Sequence, residues 1–318
     1  MRYALARLVQ FVIVILVVTF AVLAISRIGS KDPARDLAGG AVSQERVDEV
    51  TARFHLDEPI VVQYAYWLKD FVTFDMGYSY IQSQDVVAMF KQRMPVTLFV
   101  AFWAIVLGLV IAVPAGVYAA YKRDGLLDRV ISAGSFAVIS MPALVLAVLL
   151  SYLLSVRWQV FPLLGTYVAP WSNPVEHFKN FFLPAITLGA GLGAVWTRLL
   201  RADMIGTLQS DYIMLARAKG MSPSRVLWGH ALRGSVLSLL TSVALNVGGL
   251  IGGAVVIEQI FSLPGVGLRL VESVQTNDLL TLQAIAAVLA VAVVLANFAV
   301  DLLYAAVDPR IRHARALS

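Results

Sequence analysis

Residues 211–223 read Asp-Tyr-Ile-Met-Leu-Ala-Arg-Ala-Lys-Gly-Met-Ser-Pro and lie between two long apolar runs. A membrane protein that only had to reverse its direction would need a much shorter connection. This stretch instead carries helix-forming and basic residues, then Gly220, and then Ser222 with Pro223. It therefore predicts two short cytoplasmic helices joined by a sharp bend, a rigid projection suited to receiving force from a partner.

The composition indicates that the bilayer is the solvent. The 318-residue chain is 59% hydrophobic and 14% charged, with a mean hydropathy of +0.78, which is too little charge to cover a soluble surface. It has no cysteine, which excludes disulfides, thiolate nucleophiles and Cys-ligated metals, and its four histidines show no ligand spacing. We assign the net charge of +5 to basic cytoplasmic loops and predict no nucleic-acid partner.

Six uncharged runs approach or exceed the length of about 20 residues that crosses a bilayer, where only helices satisfy the backbone. They are Leu8–Ile25, Thr97–Tyr121, Val130–Val156, Asn180–Thr197, Gly234–Ile257 and Leu279–Val300. We therefore predict an all-α integral membrane protein with six transmembrane helices. Pro114 in the second run and Pro142 in the third predict kinks.

The basic residues set the orientation. If both termini are cytoplasmic, most of the 25 Lys and Arg residues lie at the termini and in the inner loops, while the short outer loops hold only Arg157, Lys179 and Arg269. Such an excess favours the cytoplasmic side. The sequence thus predicts a single transmembrane domain over residues 1–318, with cytoplasmic termini. A large extracytoplasmic segment follows the first helix at 29–96, and the core helices lie in 97–306, with a cytoplasmic segment at 202–233.

Residues 29–96 have amphipathic spacing rather than the composition of a linker. Pro59 separates two helical faces. A cap packed on the helices and a docking surface or flap explain this pattern equally well. The first face comprises Val47, Val50, Thr51 and Phe54, and the second Tyr64, Trp67, Leu68 and Phe71.

The helix-terminating residues between 211 and 233 predict the local geometry. Gly220 suits the left-handed position after a helix C-terminus, and Lys219 in the last turn interacts favourably with the helix dipole. Ser222 and Pro223 suit the N-cap and first residue of a second helix, which runs through Arg225 toward the fifth apolar run. An ordinary helical surface loop is the other interpretation.

At these residues the chain resembles the coupling segment of binding-protein-dependent ABC importer permeases. Within that family it is similar to the first permease subunit of the dipeptide, oligopeptide and nickel branch. Further motifs in the family's order extend the resemblance over essentially the whole chain. They are Phe74–Ser79, Arg93–Thr97, Ser140–Pro142, Glu258–Gly267, Asp301–Tyr304 and Asp308–Arg310.

The chain departs from the wider family pattern at three places. Met214 and Leu215 stand where that pattern has Glu-Ala before Ala216, and Arg233 replaces a proline after leucine. Both departures are common in the peptide branch. Phe74 replaces a frequent glycine.

The resemblance implies a type I ABC importer permease fold in the bacterial inner membrane. It also implies three kinds of partner besides membrane lipid: a second homologous permease subunit, two ATP-binding subunits, and an extracytoplasmic peptide-binding protein. The chain has no Gly-x-x-x-x-Gly-Lys-Ser/Thr sequence, so ATP and magnesium are expected in the partners. No catalytic residue, cofactor or metal is expected in this chain. The residues expected to couple to the ATPase are Asp211, Tyr212, Ala216, Arg217, Ala218, Lys219, Gly220, Ser222 and Arg225.

A second group is a candidate for the translocation pathway or its outer gate, because polar groups at membrane depth are functional candidates. An equally good interpretation is that Glu258 stabilises the turn that follows it at residues 262–265. Glycines at 248, 249, 252 and 253 allow close helix packing or a groove along the pathway. The group comprises Asn246, Glu258, Phe261 and Pro264.

Two other functions compete with this interpretation. A secondary transporter needs buried charged pairs and internal repeats, and an intramembrane enzyme needs a nucleophile–base pair or metal ligands. We interpret the sequence as lacking buried charged pairs and internal repeats, and the six runs contain no His, Asp, Glu or Cys. We therefore favour ATP-driven import of di- and oligopeptides. Import of a nickel chelate or of glutathione is the main alternative.

Overall fold

The computed structural model describes residues 2–29, 32–39 and 42–307, with side chains between residues 9 and 299. The chain there is mainly helical, as predicted. The helices are α1 (Arg2–Ile28), α2 (Pro33–Ala38), α3 (Gln44–Phe54), α4 (Ile60–Val72), α5 (Val86–Tyr121), α6 (Leu126–Ser140), α7 (Ala143–Ser151), α8 (Pro174–Leu208), α9 (Asp211–Ala218), α10 (Leu232–Phe261), α11 (Val266–Gln275) and α12 (Leu279–Val307). Two π-helical segments, Tyr152–Arg157 and Arg225–Ala231, continue α7 and precede α10.

Five helices in the described chain are long and apolar enough to cross a membrane: α1, α5, α8, α12, and α10 with its preceding π-helical segment. The third predicted run, Val130–Val156, does not form one continuous helix. It breaks between Ser140 and Ala143, and its two halves are bent by 107°. Pro142 disfavours the helical conformation at the residue before it, and Met141 there is extended, with ψ 126°. The predicted kink is therefore a full break, and six spans result only if the bent pair counts as one.

The described residues among 2–97 and 264–307 form one compact unit. In it α1 packs against α12, with the rings of Phe11 and Phe298 4.4 Å apart. The spacing within residues 29–96 predicted the two helices beside Pro59 correctly: α3 buries Val47 and Val50, and α4 begins directly after Pro59. The aromatic side chains of α4 stack on one another. The ring centroids of Tyr64 and Trp67 are 6.0 Å apart, and those of Trp67 and Phe71 are 5.0 Å apart.

A polar network in this unit involves two elements that the sequence analysis did not predict, a short β-hairpin and α11. The strands β1 (Tyr78–Ser79) and β2 (Gln84–Asp85) pair antiparallel, a small exception to the predicted all-α fold. The Ser79 hydroxyl donates to Asp278 Oδ2 at 2.6 Å, and Arg269 Nη2 on α11 donates to the same oxygen at 2.6 Å. Arg269 is only 2% exposed. These bonds join the hairpin, α11 and the start of α12.

Phe74 has a left-handed backbone, with φ 60°, and its side chain is 70% exposed. A left-handed conformation favours glycine, because a Cβ crowds the backbone there. Glycine, which the resemblance implies is frequent at this position, would therefore occupy it with less strain than Phe74 does.

Residues 98–263 form the second compact unit. Here α5 and α8 cross with their backbones in contact. A Cβ placed on Gly189 would lie 2.4 Å from the carbonyl oxygen of Ala104, and one on Gly193 would lie 3.0 Å from the carbonyl oxygen of Gly108. Side chains at these glycines would force the two helices apart.

Candidate functional site

The predicted coupling segment begins where α8 ends. Ser210 is the N-cap of α9, and its carbonyl oxygen accepts the N–H groups of Ile213 and Met214 at 3.1 Å each. The Ser210 hydroxyl donates back to the carbonyl oxygen of Thr207 on α8 at 2.6 Å. Asp211 places a carboxylate in the first turn, near the positive end of the helix dipole. Hydrogen bonds from Ser210 to both α8 and α9 therefore fix the junction between these two helices.

The C-terminus of α9 has the geometry that Gly220 predicts. Gly220 has φ +75°, and its N–H donates to the carbonyl oxygen of Arg217 at 2.9 Å. The N–H of Met221 donates to the carbonyl oxygen of Ala216 at 3.3 Å. These two bonds form a Schellman motif, which requires one left-handed residue. A Cβ at Gly220 would meet nothing within 4 Å, so only the backbone angle demands glycine here.

The second helix also begins where predicted. The carbonyl oxygen of Ser222 accepts the N–H of Val226 at 3.0 Å, and Pro223 follows as the first helical residue. The backbone then forms the π-helical segment Arg225–Ala231 and runs directly into α10. The second arm of the bend is therefore an extension of a membrane-span helix. Departures from α-helical geometry toward the π form are frequent at functional sites.

The inner side of α9 is buried against the helices of its own unit. Ile213 and Ala216 belong to one apolar cluster with Leu200 and Met204 of α8 and Leu239 of α10. Such burial fixes the orientation of a short helix that would be unstable in isolation. Ala216, predicted to contact the ATPase, is one of these inward-facing residues and is 6% exposed.

Two further contacts hold the start of α10, one from α9 and one from α8, and the sequence analysis missed both. A Cβ on Gly234 would lie 2.6 Å from the Tyr212 hydroxyl oxygen, so the tyrosine packs directly on the first turn of α10. The hydroxyls of Thr207 and Ser235 are 2.9 Å apart and join α8 to α10. A glycine near the start of a span, with an aromatic residue in the loop before it, was the only sequence signal for the first contact.

The outer side of α9 is apolar but exposed. Tyr212 is 49% exposed, Met214 54% and Leu215 56%. Basic and polar coupling candidates surround these side chains. Contiguous exposed apolar groups with a polar rim are typical of protein interaction sites. The exposed members of the predicted coupling set are Asp211, Tyr212, Arg217, Ala218, Lys219, Gly220, Ser222 and Arg225.

A buried ion pair lies deeper in the same unit. Arg201 on α8 binds Asp128 on α6 through two bonds, Nε to Oδ1 at 2.5 Å and Nη2 to Oδ2 at 2.7 Å. The side chains are 27% and 5% exposed. The interpretation that buried charged pairs are missing is wrong in this respect. The two residues flank the uncharged runs instead of interrupting them, because Asp128 is in the first turn of α6 and Arg201 follows the fourth run.

The structure brings only some of the pathway candidates together. Glu258 and Phe261 are both buried at the C-terminal end of α10, where Glu258 accepts the N–H of Leu263 through its main-chain oxygen. Asn246 lies roughly 18 Å of helix away, and its Nδ2 donates to the carbonyl oxygen of Ser242 at 2.7 Å. Pro264 belongs to the other unit and is half-buried. Their roles in transport stay predictions.

The glycines of α10 divide between packing and open surface. A Cβ on Gly253 would lie 2.9 Å from Leu188 of α8, whereas one on Gly249 or Gly252 would meet no described atom within 4 Å. Close helix packing thus accounts for Gly253 but not for Gly249 or Gly252.

The C-terminal motif Asp308–Arg310 lies outside the described residues, and Asp301–Tyr304 lies in α12, where only the backbone is described.

Comparison with known protein families identifies the family of this chain. The family described as the binding-protein-dependent transport system inner membrane component matches residues 112–313, and the N-terminal model for such membrane components matches residues 1–101. The chain belongs to this family. It is therefore a multi-pass inner-membrane permease and a transport component rather than an enzyme.

Similar permeases occur in several bacteria. A putative peptide transport system permease of Brucella abortus is 36% identical over 309 residues, covering 97% of this chain and 98% of the relative. A probable peptide ABC transporter permease of Sinorhizobium fredii is 30% identical, covering 98% and 99%. The glutathione transport system permease of Escherichia coli K12 is 31% identical, covering 98% and 99%. The resemblance inferred from the coupling motifs is thus confirmed.

Proposed function

We propose that this permease forms half of the pathway of an ATP-driven importer of di- and oligopeptides. A second homologous permease subunit forms the other half, two ATP-binding subunits dock from the cytoplasm, and an extracytoplasmic binding protein delivers the peptide. ATP and magnesium bind to the partner ATPases, and this chain holds no cofactor. The names of the Brucella and Sinorhizobium relatives support peptides as the cargo.

The attachment of α9 carries the mechanical part of the proposal. The helix α9 is joined to α8 and α10 by the buried cluster around Ile213, and its Tyr212 hydroxyl packs on Gly234 of α10. The Thr207 and Ser235 hydroxyls join α8 to α10 beside it. Because this joint is packed and hydrogen-bonded, displacement of α9 by a partner moves α8 and α10 with it. Such rigid-body motion is one of the usual ways of opening a site alternately to either side.

The same proposal assigns the sides of the membrane. Both termini and residues 202–233 face the cytoplasm, and residues 29–96 face outward, as the positive-inside distribution favours. The polar network of Ser79, Arg269 and Asp278 then stabilises the outer face. Glu258 and Phe261 lie at the outer end of α10, where an outer gate would be built.

Reconstitution tests the proposal. Tagged permease is purified to ask whether a second permease and two ATP-binding subunits accompany it. The assembly is then placed in vesicles with ATP inside, and uptake of a labelled dipeptide is measured with the binding protein outside. We expect uptake that requires ATP and the binding protein. Uptake by the chain alone, driven by an ion gradient, would show that the permease is a secondary transporter.

Glutathione is the second candidate cargo, because the Escherichia coli relative is named for it. Glutathione is itself a tripeptide, so it requires no change in the mechanical account. A nickel chelate is the third candidate. Competition of each with the labelled dipeptide ranks the three, and strong inhibition by glutathione alone would reassign the cargo.

A further inference from the structure

A cavity of about 300 Å³ lies beside the C-terminal end of α1. Its walls come from Arg27 at the end of α1, the start of α2, Thr51 on α3, the turn before α4, and Gln63 on α4. All of these residues belong to the same compact unit. The volume is at the lower limit of ordinary small-ligand sites, so the cavity suits a ligand of about the size of a dipeptide.

The side chain of Gln63 joins two walls of this cavity. It is only 9% exposed, and its Oε1 accepts a hydrogen bond from Arg27 Nε at 3.1 Å. Its Nε2 donates to the carbonyl oxygens of Leu56 and Glu58 at 3.2 and 2.9 Å. These bonds fix the Arg27 guanidinium relative to the turn that carries Asp57. The cavity is therefore built by a buried polar side chain and is more than a gap between loops.

The charged residues of the lining have opposite signs. Arg27 Nη1 is buried and makes no hydrogen bond within the described residues. Asp57 forms no hydrogen bond or ion pair in the same part of the chain. Asp32 caps α2 and lies 3.3 Å from Arg35 in an exposed pair, which contributes little. Arg27 and Asp57 thus line one cavity without pairing with each other, and both are available to charged groups of a ligand.

A ligand that carries both charges matches this lining better than a ligand with one. Asp32 and Asp57 would repel a phosphate, and Arg27 would repel a free metal cation. Among the described residues, no group of three or more acidic or histidine side chains could hold a metal. A zwitterion instead offers a carboxylate, which arginine binds through two parallel hydrogen bonds, and an ammonium group for the aspartates.

We propose that this cavity binds the two charged ends of a dipeptide. The α-carboxylate accepts hydrogen bonds from Arg27, the α-ammonium group donates to Asp57, and small side chains lie against Pro33, Ala34 and Leu56. The choice of a peptide among zwitterions, and the outward position of the cavity, rest on the proposed function. The cavity then gives the permease a peptide site of its own on the outer side of the membrane.

Blocking either end of the peptide tests the proposal directly. The full-length permease is placed in phosphatidylcholine nanodiscs, and binding of alanyl-alanine is titrated by saturation-transfer NMR. The same titration is made with the N-acetylated peptide and with the C-terminal amide. We expect each blocked peptide to bind about tenfold more weakly, since one hydrogen bond to a charged group contributes about that factor. Equal affinities for the three peptides would overturn the site.

Asp57→Asn removes the carboxylate that we assign to the ammonium group. It should weaken alanyl-alanine about tenfold and leave the already weak N-acetylated peptide nearly unchanged, a difference that misfolding would not produce. The matched control is Glu58→Gln, which removes the neighbouring exposed carboxylate outside the lining and should keep normal affinity. An equal loss in Asp57→Asn and Glu58→Gln would mean general surface attraction and overturn the site.

A docked protein surface is the other occupant that these charges could serve. If Asp57→Asn weakens docking of the peptide-free binding protein but leaves alanyl-alanine binding unchanged, the cavity belongs to that interface and the peptide site is wrong. Uptake by the assembled importer separates this inference from the proposed function. If the importer takes up the dipeptide with ATP but the permease alone binds none, the site fails alone. If the permease binds it with both charge preferences but no ATP-driven uptake occurs, the site stands and the importer assignment fails.

Discussion

Replacing Gly189 with alanine tests whether α5 and α8 cross in backbone contact. The new Cβ would lie 2.4 Å from the carbonyl oxygen of Ala104, whereas ordinary contact begins at 3.4 Å. The helices would have to separate by about 1 Å, because a helical carbonyl cannot rotate away. The neighbouring contact of Gly193 with Gly108 would open as well. We expect a loss of about 3 kcal/mol, at the upper end of overpacking costs.

Gly191 provides the matched control on the same helix, since a Cβ there would meet nothing within 4 Å. Gly191→Ala should stabilise the helix by up to about 1 kcal/mol, so the two variants should differ by roughly 4 kcal/mol. Thermal unfolding of each purified variant in detergent, followed by circular dichroism, measures the difference as a shift in Tm. Equal Tm values for Gly189→Ala and Gly191→Ala would refute the backbone crossing.

Three other variants test separate features of the chain. Gly234→Ala should displace the Tyr212 hydroxyl and reduce the amount of peptide taken up per ATP hydrolysed. Adding Tyr212→Phe should restore this ratio. A double-mutant cycle should give an interaction free energy of roughly 0.5–3 kcal/mol between the two positions. Asp128→Asn leaves Arg201 without its counter-charge and should cost roughly 2 kcal/mol in thermal unfolding, below the cost for a fully buried pair. Phe74→Gly relieves a left-handed backbone and should raise stability by up to about 1 kcal/mol, also read as Tm.

Each of these variants has a control or a contrary outcome. If Tyr212→Phe fails to rescue Gly234→Ala, the hydroxyl contact does not join α9 to α10. Asp128→Asn with an unchanged Tm would mean that the ion pair contributes nothing net. Thr73→Gly, at an ordinary negative φ of −84°, should destabilise the turn, and a gain equal to that of Phe74→Gly would remove backbone strain as the cause.

Local chemistry made the bend around α9 predictable. The left-handed position of Gly220 and the helix start at Ser222 and Pro223 each depend on the backbone preferences of one or two residues. The same preferences predicted a kink at Pro142, where the structure has a full break. The helices α3 and α4 were also predictable, because their apolar residues, such as Val47 and Val50, recur on one helical face. The size of the break at Pro142 was not, since 107° depends on what the two halves pack against.

Contacts between distant residues were not accessible from one sequence. Asp128 and Arg201 are 73 residues apart, and Ser79 and Asp278 are 199 apart. No local preference indicates that such residues meet. Likewise Gly234 has no left-handed backbone angle to reveal it. A larger side chain does not fit there because the Tyr212 hydroxyl oxygen and the Thr207 methyl group lie 2.6 and 3.2 Å from the position of a Cβ. The short β-hairpin depends on similar long-range packing around Gly77 and Leu280.

The ratio of peptide taken up to ATP hydrolysed, in Gly220 variants, tests most directly whether α9 transmits the motion of an ATP-hydrolysing partner. Gly220→Val places a β-branched residue at φ +75°, whereas Gly220→Asn introduces a side chain that tolerates this angle. Because open space surrounds the site, the two variants differ in backbone strain and not in clashes. We predict continued ATP hydrolysis with little uptake in Gly220→Val and a nearly normal ratio in Gly220→Asn. A normal ratio in Gly220→Val would contradict the role of α9 as the coupling element.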